Sequence, residues 1–491
     1  MPSESSYQHA DALDRARTKA YRRLLPLLFI CYVVAYIDRT NVGFAKLTME
    51  EQLGSLGFSE KVFGFGMGVF FIGYLLLEIP GSVLVERWSA RKWIFRIMVS
   101  WGIVASMTAF VHKRVPGVTN AVESVTKSAG RALEATIGGG AGSYAEALQG
   151  PGAAYIGQFF SVRFLLGLAE AGFFPGVIVY LSHWFPRRDR SRALAWFLIA
   201  APLSQIIGPK ICDWMMKAGD GVAGLVGWQW IFLLWGLPAV ILGFVVLFFL
   251  TDRPAQASWL TPEEREALQA ELDAEKAAHP STHFTIAQAL AHPKVLLLAL
   301  AFFLCTCGNY AVEMQMPSIL KDWYKLSTGG IALLLMIPPV GSLLGQLFVG
   351  WNSDRTAERR WHASLPIVLG AVAMALIPFS HGNVVLSVLG FTVALIGFKA
   401  YLPAFWTLPG MFLTESAAAA SIGFINSIAN LGGWVGPTLV GVLKQNTNSY
   451  DTALWILSGF MIVAATIIAN IGVGRRQTAP VETPEPSSAV V

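Results

Sequence analysis

Two ionisable residues stand side by side inside a long apolar run near the beginning of the chain. Asp38 and Arg39 follow Ile-Cys-Tyr-Val-Val-Ala-Tyr-Ile and precede Thr-Asn-Val-Gly-Phe. An acid and a base at the depth of lipid are costly unless they pair, face an interior cavity or belong to a pathway for ions or substrate. These neighbours are therefore the first candidate functional site, with a carboxylate that can exchange protons and a guanidinium that can hold an anion.

A second pair of charges, Arg163 and Glu170, lies seven residues apart in another apolar run. Seven residues make about two helical turns, so both side chains share one face of a helix. A face with a cation and a carboxylate inside a membrane is expected to point into the protein. The alternative is a buried ion pair that only holds helices together, but charges within membrane spans usually serve function.

Two further charges, Glu313 and Lys399, lie well inside apolar runs of the second half of the chain. Two hypotheses remain open for them. They pair with each other, or Lys399 binds a second acidic group on a substrate.

These charges are exceptional because the rest of the chain is strongly apolar. Of its 491 residues, 54% are hydrophobic and only 14% are charged, and the mean hydropathy is +0.53. Charged residues make up about a quarter of a soluble domain, and about 20 helical residues cross a bilayer. The sequence therefore predicts an all-α polytopic membrane protein with twelve spans in two groups of six, at 24–44, 62–85, 93–110, 156–181, 193–211, 228–250, 295–319, 329–351, 363–379, 384–412, 417–443 and 452–473.

Arginine and lysine alternate between the connections of these spans. They cluster before the first span, in the second–third, fourth–fifth and eighth–ninth connections, and after the last span. The positive-inside rule places these connections and both termini in the cytoplasm, with the protein in the cell membrane. No removable signal peptide is expected, because no small-residue cleavage site follows a short apolar core. The net charge of +5 follows from this alternation and requires no nucleic acid partner.

Polar segments divide the chain into predicted units. Residues 1–250 and 295–475 each contain six spans, and residues 251–294 form a linker. Thr-Pro-Glu-Glu at 261–264 is a capping box with proline at the first helical position, which predicts a charged surface helix. An insert at about 111–155 has apolar residues at helical spacing before Gly-Gly-Gly, which predicts an external amphipathic hairpin or a membrane-surface helix. A structural role is favoured over that of a substrate lid. The tail at 476–491 is predicted to be disordered.

A similar loop follows the second and the eighth span. Each loop has a carboxylate at the end of a helix, a tight turn and basic residues, an arrangement that can bridge to a neighbouring helix end and release it. This recurrence indicates an internal repeat of the kind found in alternating-access transporters. The residues proposed for gating on this basis are Glu86, Arg87, Arg91, Asp354 and Arg355.

Four stretches together resemble a known family. They are Tyr-Ile-Asp-Arg-Thr-Asn at 36–41, Gly-Tyr-Leu-Leu-Leu-Glu-Ile-Pro at 73–80, the segment from Arg163 to Pro175, and Ile-Asn-Ser-Ile-Ala-Asn-Leu-Gly-Gly at 425–433. The chain resembles the anion:cation symporter branch of the major facilitator superfamily, near the phthalate, tartrate and sugar-acid permeases and similar to the galactonate/proton symporter. The resemblance implies twelve helices in two pseudo-symmetric six-helix bundles. Glu313 and Lys399 stand where this branch is expected to have neutral residues, which leaves the class of substrate open.

The resemblance also implies roles for individual residues. Asp38 and Glu170 would take up protons, and Arg39 would hold the substrate carboxylate while Arg163 tunes Glu170. Other candidates for substrate binding are Tyr74, Asn426 and Asn430, whose alternatives are helix packing for the tyrosine and interhelical hydrogen bonding for the two amides.

These expectations describe a secondary transporter that carries a small organic anion together with protons. A proton-driven exporter of amphipathic compounds and a membrane enzyme or non-transporting sensor are the alternatives. No nucleotide-binding loop, metal-ligand cluster or nucleophile–base arrangement stands out, so we expect no cofactor, no metal and no enzymatic activity. The four cysteines fit no metal-site spacing and are predicted to pack as small apolar residues. The expected partners are the anion, protons and lipid, and the expected state is a monomer.

Overall fold

The computed structural model describes residues 4–137, 144–278, 292–412 and 415–472. Regular structure within these residues is helical. The ten helices described before the linker are α1 (Glu4–Leu53), α2 (Glu60–Arg87), α3 (Ala90–Met107), α4 (Val118–Ile137), α5 (Tyr144–Gln149), α6 (Ala153–Glu170), α7 (Phe173–Ser182), α8 (Arg187–Leu198), α9 (Ala200–Gly219) and α10 (Gly227–Phe249).

The linker contributes one described helix, and the second half of the chain contributes nine. They are α11 (Pro262–Ala278), α12 (Pro293–Tyr324), α13 (Thr328–Leu334), α14 (Ile337–Thr356), α15 (Arg360–Leu376), α16 (Val384–Ala400), α17 (Leu402–Phe405), α18 (Glu415–Asn430), α19 (Gly432–Thr447) and α20 (Asp451–Asn470). Part of the predicted linker, residues 279–291, and the predicted disordered tail lie outside the described residues.

Eleven helical stretches within the described ranges are long and apolar enough to cross a membrane. They coincide with eleven of the predicted spans. The remaining one, at 417–443, is covered by α18 and α19, which meet at Leu431. Helices satisfy their backbone hydrogen bonds internally, which is the condition for crossing lipid. The predicted all-α polytopic architecture is confirmed.

The fourth span is interrupted beside the candidate site. Gly172 has φ +84° between α6 and α7, a left-handed conformation that glycine adopts without steric cost. Glu170 is the last residue of α6. The interruption therefore leaves this carboxylate at a helix end.

The first helix begins earlier than the predicted first span. Helix α1 starts at Glu4 and is continuous to Leu53, because its polar N-terminal part packs on the linker helix. Lys19 Nζ donates to both oxygens of Glu264 at 2.8 Å. Glu264 in turn exchanges hydrogen bonds with the backbone and side chain of Thr261. This reciprocal pair is the predicted capping box.

The insert contains the predicted helix, α4, followed by the short helix α5. Helix α4 packs on α6 through Thr126, since a Cβ on Gly157 would lie 2.0 Å from its hydroxyl oxygen. Val122, one of the apolar residues at helical spacing, lies at the same contact, where that Cβ would be 2.7 Å from its Cγ1. The side chain of Val125, in contrast, is 70% exposed. Exposed valines on an amphipathic helix are suited to a membrane surface. The predicted Gly-Gly-Gly break lies outside the described residues.

Helices α2 and α6 approach each other at backbone distance. A Cβ on Gly167 would lie 1.9 Å from the carbonyl oxygen of Phe70, and one on Gly73 would lie 2.2 Å from that of Phe164. Small residues at such crossings allow close helix contact inside a membrane. This contact brings the charged face of α6 against the aromatic residues of α2.

The two halves of the chain meet at the end of the bundle where α1 and α12 terminate, which we call the distal face. Lys46 Nζ lies 2.5 Å from Glu60 Oε2 and donates to Gln315 Oε1 at 3.1 Å. Lys321 Nζ lies 2.5 Å from Glu51 Oε1. Charged hydrogen bonds of this kind are about twice as strong as neutral ones. Those from Lys46 to Gln315 and from Lys321 to Glu51 cross the boundary and hold the halves together at the distal face.

A hydrophobic core extends through both halves and surrounds these polar contacts. The four cysteines, Cys31, Cys212, Cys305 and Cys307, are free thiols buried within it. Their predicted role as packing residues is confirmed.

Candidate functional site

The guanidinium of Arg39 on α1 binds the carboxylate of Glu170 at the end of α6. Arg39 Nε donates to Glu170 Oε1 at 3.1 Å, and Nη2 contacts the same oxygen. The side chain of Arg39 is 13% exposed, whereas that of Glu170 is 1% exposed. The cation is therefore the accessible member of the pair, and the carboxylate lies behind it.

Arg39 does not pair with its neighbour Asp38, so mutual pairing is not how these two adjacent charges are accommodated. Successive side chains on a helix point about 100° apart, so Asp38 faces α3 instead. Trp101 Nε1 donates to Asp38 Oδ2 at 2.6 Å, and Asn41 Nδ2 donates to Oδ1 at 2.9 Å. Asp38 is almost completely buried. The two candidate proton sites thus occupy separate environments on either side of α1.

Two aromatic rings of α2 lie beside the arginines. Arg39 Cζ is 5.2 Å from the ring centre of Tyr74 and 5.5 Å from that of Phe70. Arg163 Cζ is 5.3 Å from the same Phe70 ring. Cations are attracted to aromatic faces at such distances. Tyr74 therefore lies at the site, in contact with the predicted anion-binding arginine.

Arg163 is fully buried on α6. Its Nε donates to the carbonyl oxygen of Gly66 at 3.4 Å. Nη1 and Nη2 have no hydrogen-bond partner in the part of the chain that the structure describes. Asp38 and Glu170 are the carboxylates whose charges act on this guanidinium. A buried cation with unused donors is costly. This cost is consistent with a functional role for Arg163.

A second ion pair joins α12 to α16. Lys399 Nζ lies 2.9 Å from Glu313 Oε1, and the Tyr36 hydroxyl donates to Glu313 Oε2 at 3.2 Å. Tyr310, one turn before Glu313, accepts from Arg39 Nη1 at 3.4 Å. The two ion pairs are therefore neighbours across the contact of α1 with α12. Of the two hypotheses for Glu313 and Lys399, this conformation contains the ion pair. A substrate-binding role for Lys399 stays a prediction.

A small cavity of about 70 Å³ adjoins this second pair. Polar side chains from both halves line it, namely Asn41, Ser204, Gln205 and Glu313. A cavity needs about 10–15 Å³ of such space to hold one water molecule. The cavity therefore has room for water beside the Glu313 carboxylate.

The two asparagines predicted to face substrate bind Glu78 of α2. Asn426 Nδ2 donates to Glu78 Oε1 at 3.0 Å, and Asn430 Nδ2 donates to Oε2 at 3.1 Å. Ser427 Oγ is 3.3 Å from Oε2. In this conformation both amides form hydrogen bonds between helices, which is the alternative role given for them above. All three of these partners of Glu78 come from the other half of the chain.

The site thus contains three cations, four carboxylates and several hydroxyls, packed between helices of both halves. Cations with accessible edges can bind an anion, and the displaced carboxylates can then take protons. Among the described residues, no cluster of three potential metal ligands is present.

Comparison with known proteins shows the family to which this chain belongs. A sequence model of the Major Facilitator Superfamily matches residues 28–437 and 298–488. The chain belongs to this superfamily. It is a multi-pass membrane transporter and not an enzyme, and the recognition made from its four motifs is confirmed.

Individual superfamily members cover nearly the whole chain. A protein of Agrobacterium vitis that carries the name of a tartrate transporter is 39% identical over 94% of this chain and 95% of its own length. A quinolone resistance transporter of Acinetobacter baumannii is 35% identical over 96% of this chain and 99% of its own length. The inward-open xylose transporter XylE from E. coli has a TM-score of 0.70 at 14% identity, over 93% of this chain and 97% of that one. This last likeness confirms the fold alone.

The superfamily loop motifs contact their own halves of the chain. Arg91 donates through Nη1 to the carbonyl oxygen of Leu250 at 3.5 Å. Asp354 accepts from Arg359 Nη1 at 2.6 Å, while Arg355 lies over the ring of Trp351. Glu86 and Arg87 form the last turn of α2, where the structure describes the backbone. Their gating roles stay predictions.

The sequence alone indicates no role for several residues of this site, among them two aromatic residues that bind carboxylates. Trp101 and Tyr36 are aromatic residues in apolar runs. A buried indole or phenol usually finds a hydrogen-bond partner, but the sequence does not show which group that partner is. Tyr310 and Gln205 likewise carry no signal of their own. One signal does point to them. A buried carboxylate needs hydrogen-bond donors, so polar or aromatic side chains on neighbouring spans are candidate partners of Asp38 and Glu313.

Proposed function

We propose that this superfamily member carries a small organic anion into the cell together with protons, by alternating access. The observation that carries this proposal is the Arg39–Glu170 pair, in which an accessible guanidinium is neutralised by a buried carboxylate. The name of the tartrate transporter from Agrobacterium vitis supports a carboxylate as substrate. The planar guanidinium of Arg39 matches a carboxylate in shape as well as in charge.

The coupling of anion and proton follows from competition for Arg39. A substrate carboxylate that binds this guanidinium removes the cation that stabilises ionised Glu170. Loss of a nearby cation makes protonation of a buried carboxyl group more favourable. Binding of the anion and of a proton therefore promote each other, as linkage requires.

Asp38 is the second proposed proton site. It is held by Trp101 and Asn41, two neutral donors, so its proton can exchange without breaking an ion pair. Arg163 lies within electrostatic reach of both Asp38 and Glu170. Its proposed role is to balance their charges when both are ionised. Tyr74, beneath Arg39, would contact the bound anion.

Alternating access requires the two bundles, residues 1–250 and 295–475, to separate at one face at a time. The positive-inside rule makes the distal face external and both termini cytoplasmic, in the cell membrane. Contacts of Lys46 and Lys321 would then close the external side. The loop residues Glu86, Arg87, Arg91, Asp354 and Arg355 would act on the cytoplasmic side. After the amides of Asn426 and Asn430 leave Glu78, they could bind substrate. The proposed functional unit is the monomer.

A second candidate is a proton-driven exporter of amphipathic compounds. The quinolone resistance transporter that is 35% identical to this chain favours it. Against it stand two arginines at the site, since a pore for amphipathic compounds has less need of a carboxylate-binding guanidinium. A non-transporting sensor is the remaining alternative.

Uptake into proteoliposomes tests these candidates. Labelled tartrate, gluconate or benzoate is offered under an imposed inward proton gradient. The symport proposal expects accumulation of an acid that collapses with an uncoupler. Gradient-driven movement of a quinolone out of the compartment, with no acid uptake, would favour the exporter. Binding without any flux would favour the sensor.

A further inference from the structure

We infer that the substrate has two anionic groups, and that Lys399 binds the second of them in place of Glu313. This inference rests on the proposed function, because it takes Arg39 as the site of the first group. It names the class of substrate as a small dicarboxylate, which the charges at Arg39 alone do not specify.

The two ion pairs have the same construction. In each, the cation is the accessible member and the carboxylate is buried behind it: Lys399 is 21% exposed against 4% for Glu313, and Arg39 is 13% exposed against 1% for Glu170. An ion pair that only joined helices would gain nothing from leaving its cation accessible. A cation with an open edge can accept a second anion without first leaving its position.

The Glu313–Lys399 contact is also incompletely bonded. Lys399 Nζ is 2.9 Å from Glu313 Oε1, yet this oxygen has no hydrogen bond within the described part of the chain. The other carboxylate oxygen has its own donor, the Tyr36 hydroxyl, which in turn accepts from Gln205 Nε2 at 3.2 Å. If an anion takes Lys399 away, Glu313 keeps the Tyr36 hydrogen bond. The exchange at Lys399 therefore leaves Glu313 with a donor.

Both pairs lie at one helix contact. Arg39 and Tyr36 are one turn apart on α1, and Glu313 and Tyr310 are one turn apart on α12. Arg39 reaches Tyr310, and Tyr36 reaches Glu313. These crossed hydrogen bonds bring the two cations to the same region between the halves of the chain, and a small molecule with two carboxylates could bridge them.

The net charge of the site differs according to whether a monocarboxylate or a dicarboxylate binds. A dicarboxylate that binds both cations displaces both Glu170 and Glu313, and uptake of two protons by these carboxylates restores the original charge. A monocarboxylate that binds Arg39 leaves the Glu313–Lys399 pair intact. Lys399 therefore decides between the two classes, and it does so separately from the anion site at Arg39.

The test compares affinities for matched acids in purified wild-type protein and in Lys399→Gln. Tartrate and gluconate serve as the hydroxylated diacid and monoacid, and binding is measured by calorimetry. Loss of a charge-assisted contact should weaken tartrate binding by roughly tenfold or more, with gluconate binding little changed. Lys444→Gln is the matched control, because this lysine pairs with Asp322 outside the site and should leave both affinities unchanged.

The double variant Lys399→Gln/Glu313→Gln guards against a folding defect, since it removes both charges together. It too should lose the preference for the diacid. Equal loss of both acids in the single and the double variant, or an unchanged preference for tartrate, would overturn the inference. Failure of the proposed function looks different, because wild-type protein would then bind neither acid, or Arg39→Ala would bind both normally.

Discussion

Asn430 donates its side-chain amide to Glu78 across the boundary between the two halves of the chain, at 3.1 Å. Glu78 lies one turn after Tyr74, and the Tyr74 ring is in contact with Arg39. Asn426 and Ser427 also donate hydrogen bonds to the Glu78 carboxylate. This contact joins α18 to α2 next to the proposed anion site, so a change at Arg39 can be transmitted to the boundary through a single helical turn.

We predict that Glu78→Gln loosens this contact. A glutamine offers one carbonyl oxygen where the carboxylate accepts three hydrogen bonds, and bonds to a charged acceptor are about twice as strong as neutral ones. The amides of α18 should therefore exchange hydrogen for deuterium faster in the variant, as measured by mass spectrometry. Glu358→Gln is the control, because this carboxylate precedes α15 and binds Trp361 and His362 of that helix, away from the boundary between the halves. Unchanged exchange in α18 would mean that Glu78 does not hold the halves together.

Arg39→Lys should weaken anion binding severely despite keeping the charge. The guanidinium contacts Glu170 through two nitrogen atoms and Tyr310 through a third, a geometry that a single ammonium group cannot reproduce. We expect the Kd for the transported acid to rise by about tenfold or more. Arg192→Lys, at an exposed arginine, serves as the control. Wild-type affinity in the Arg39 variant would contradict the assignment of Arg39 as the anion site.

Neutral replacements of the proposed proton sites should separate binding from coupling. Glu170→Gln and Asp38→Asn keep the size of each side chain but cannot exchange a proton. Each variant should lose uptake driven by a proton gradient while it still exchanges labelled for unlabelled substrate, because exchange needs no net proton movement. Asp451→Asn, at a surface residue bound to His381, is expected to retain both activities. Gradient-driven accumulation in either site variant would remove that residue from the coupling step.

The sequence was sufficient for the spans and for the identity of most charged residues at the site, since hydropathy and lone charges in apolar runs are local signals. It was insufficient to predict which side chains these charged residues bind. Asp38 and Arg39 are adjacent in sequence, yet helix geometry sends one to Trp101 and the other to Glu170. Likewise, Glu78 and Asn430 are brought together only by packing of the two halves, and no local pattern in either segment encodes that contact.

The distal contact of Lys46 gives the last prediction. Lys46 is fully buried, 2.5 Å from Glu60 and 3.1 Å from Gln315. Removal of one partner from a buried ion pair leaves an uncompensated charge and typically costs about 3–5 kcal/mol. Lys46→Met should therefore lower the thermal transition temperature of the purified protein, measured in detergent by intrinsic fluorescence.

The double variant Lys46→Met/Glu60→Gln shows whether this loss is electrostatic. Tyr450 donates to Glu60 Oε1 at 3.1 Å, and a glutamine side-chain oxygen can still accept that bond, so the double variant leaves no buried charge behind. It should recover most of the stability lost in Lys46→Met, because the two effects are coupled through one interaction. If the loss of stability in the double variant, relative to wild type, instead equals the sum of the losses in Lys46→Met and Glu60→Gln, the distal contact depends on packing around Lys46 and not on its charge. In that case, closure of the distal face would be attributed to the close approach of α1 to α12, where a Cβ on Gly43 would lie 2.6 Å from the carbonyl oxygen of Met314.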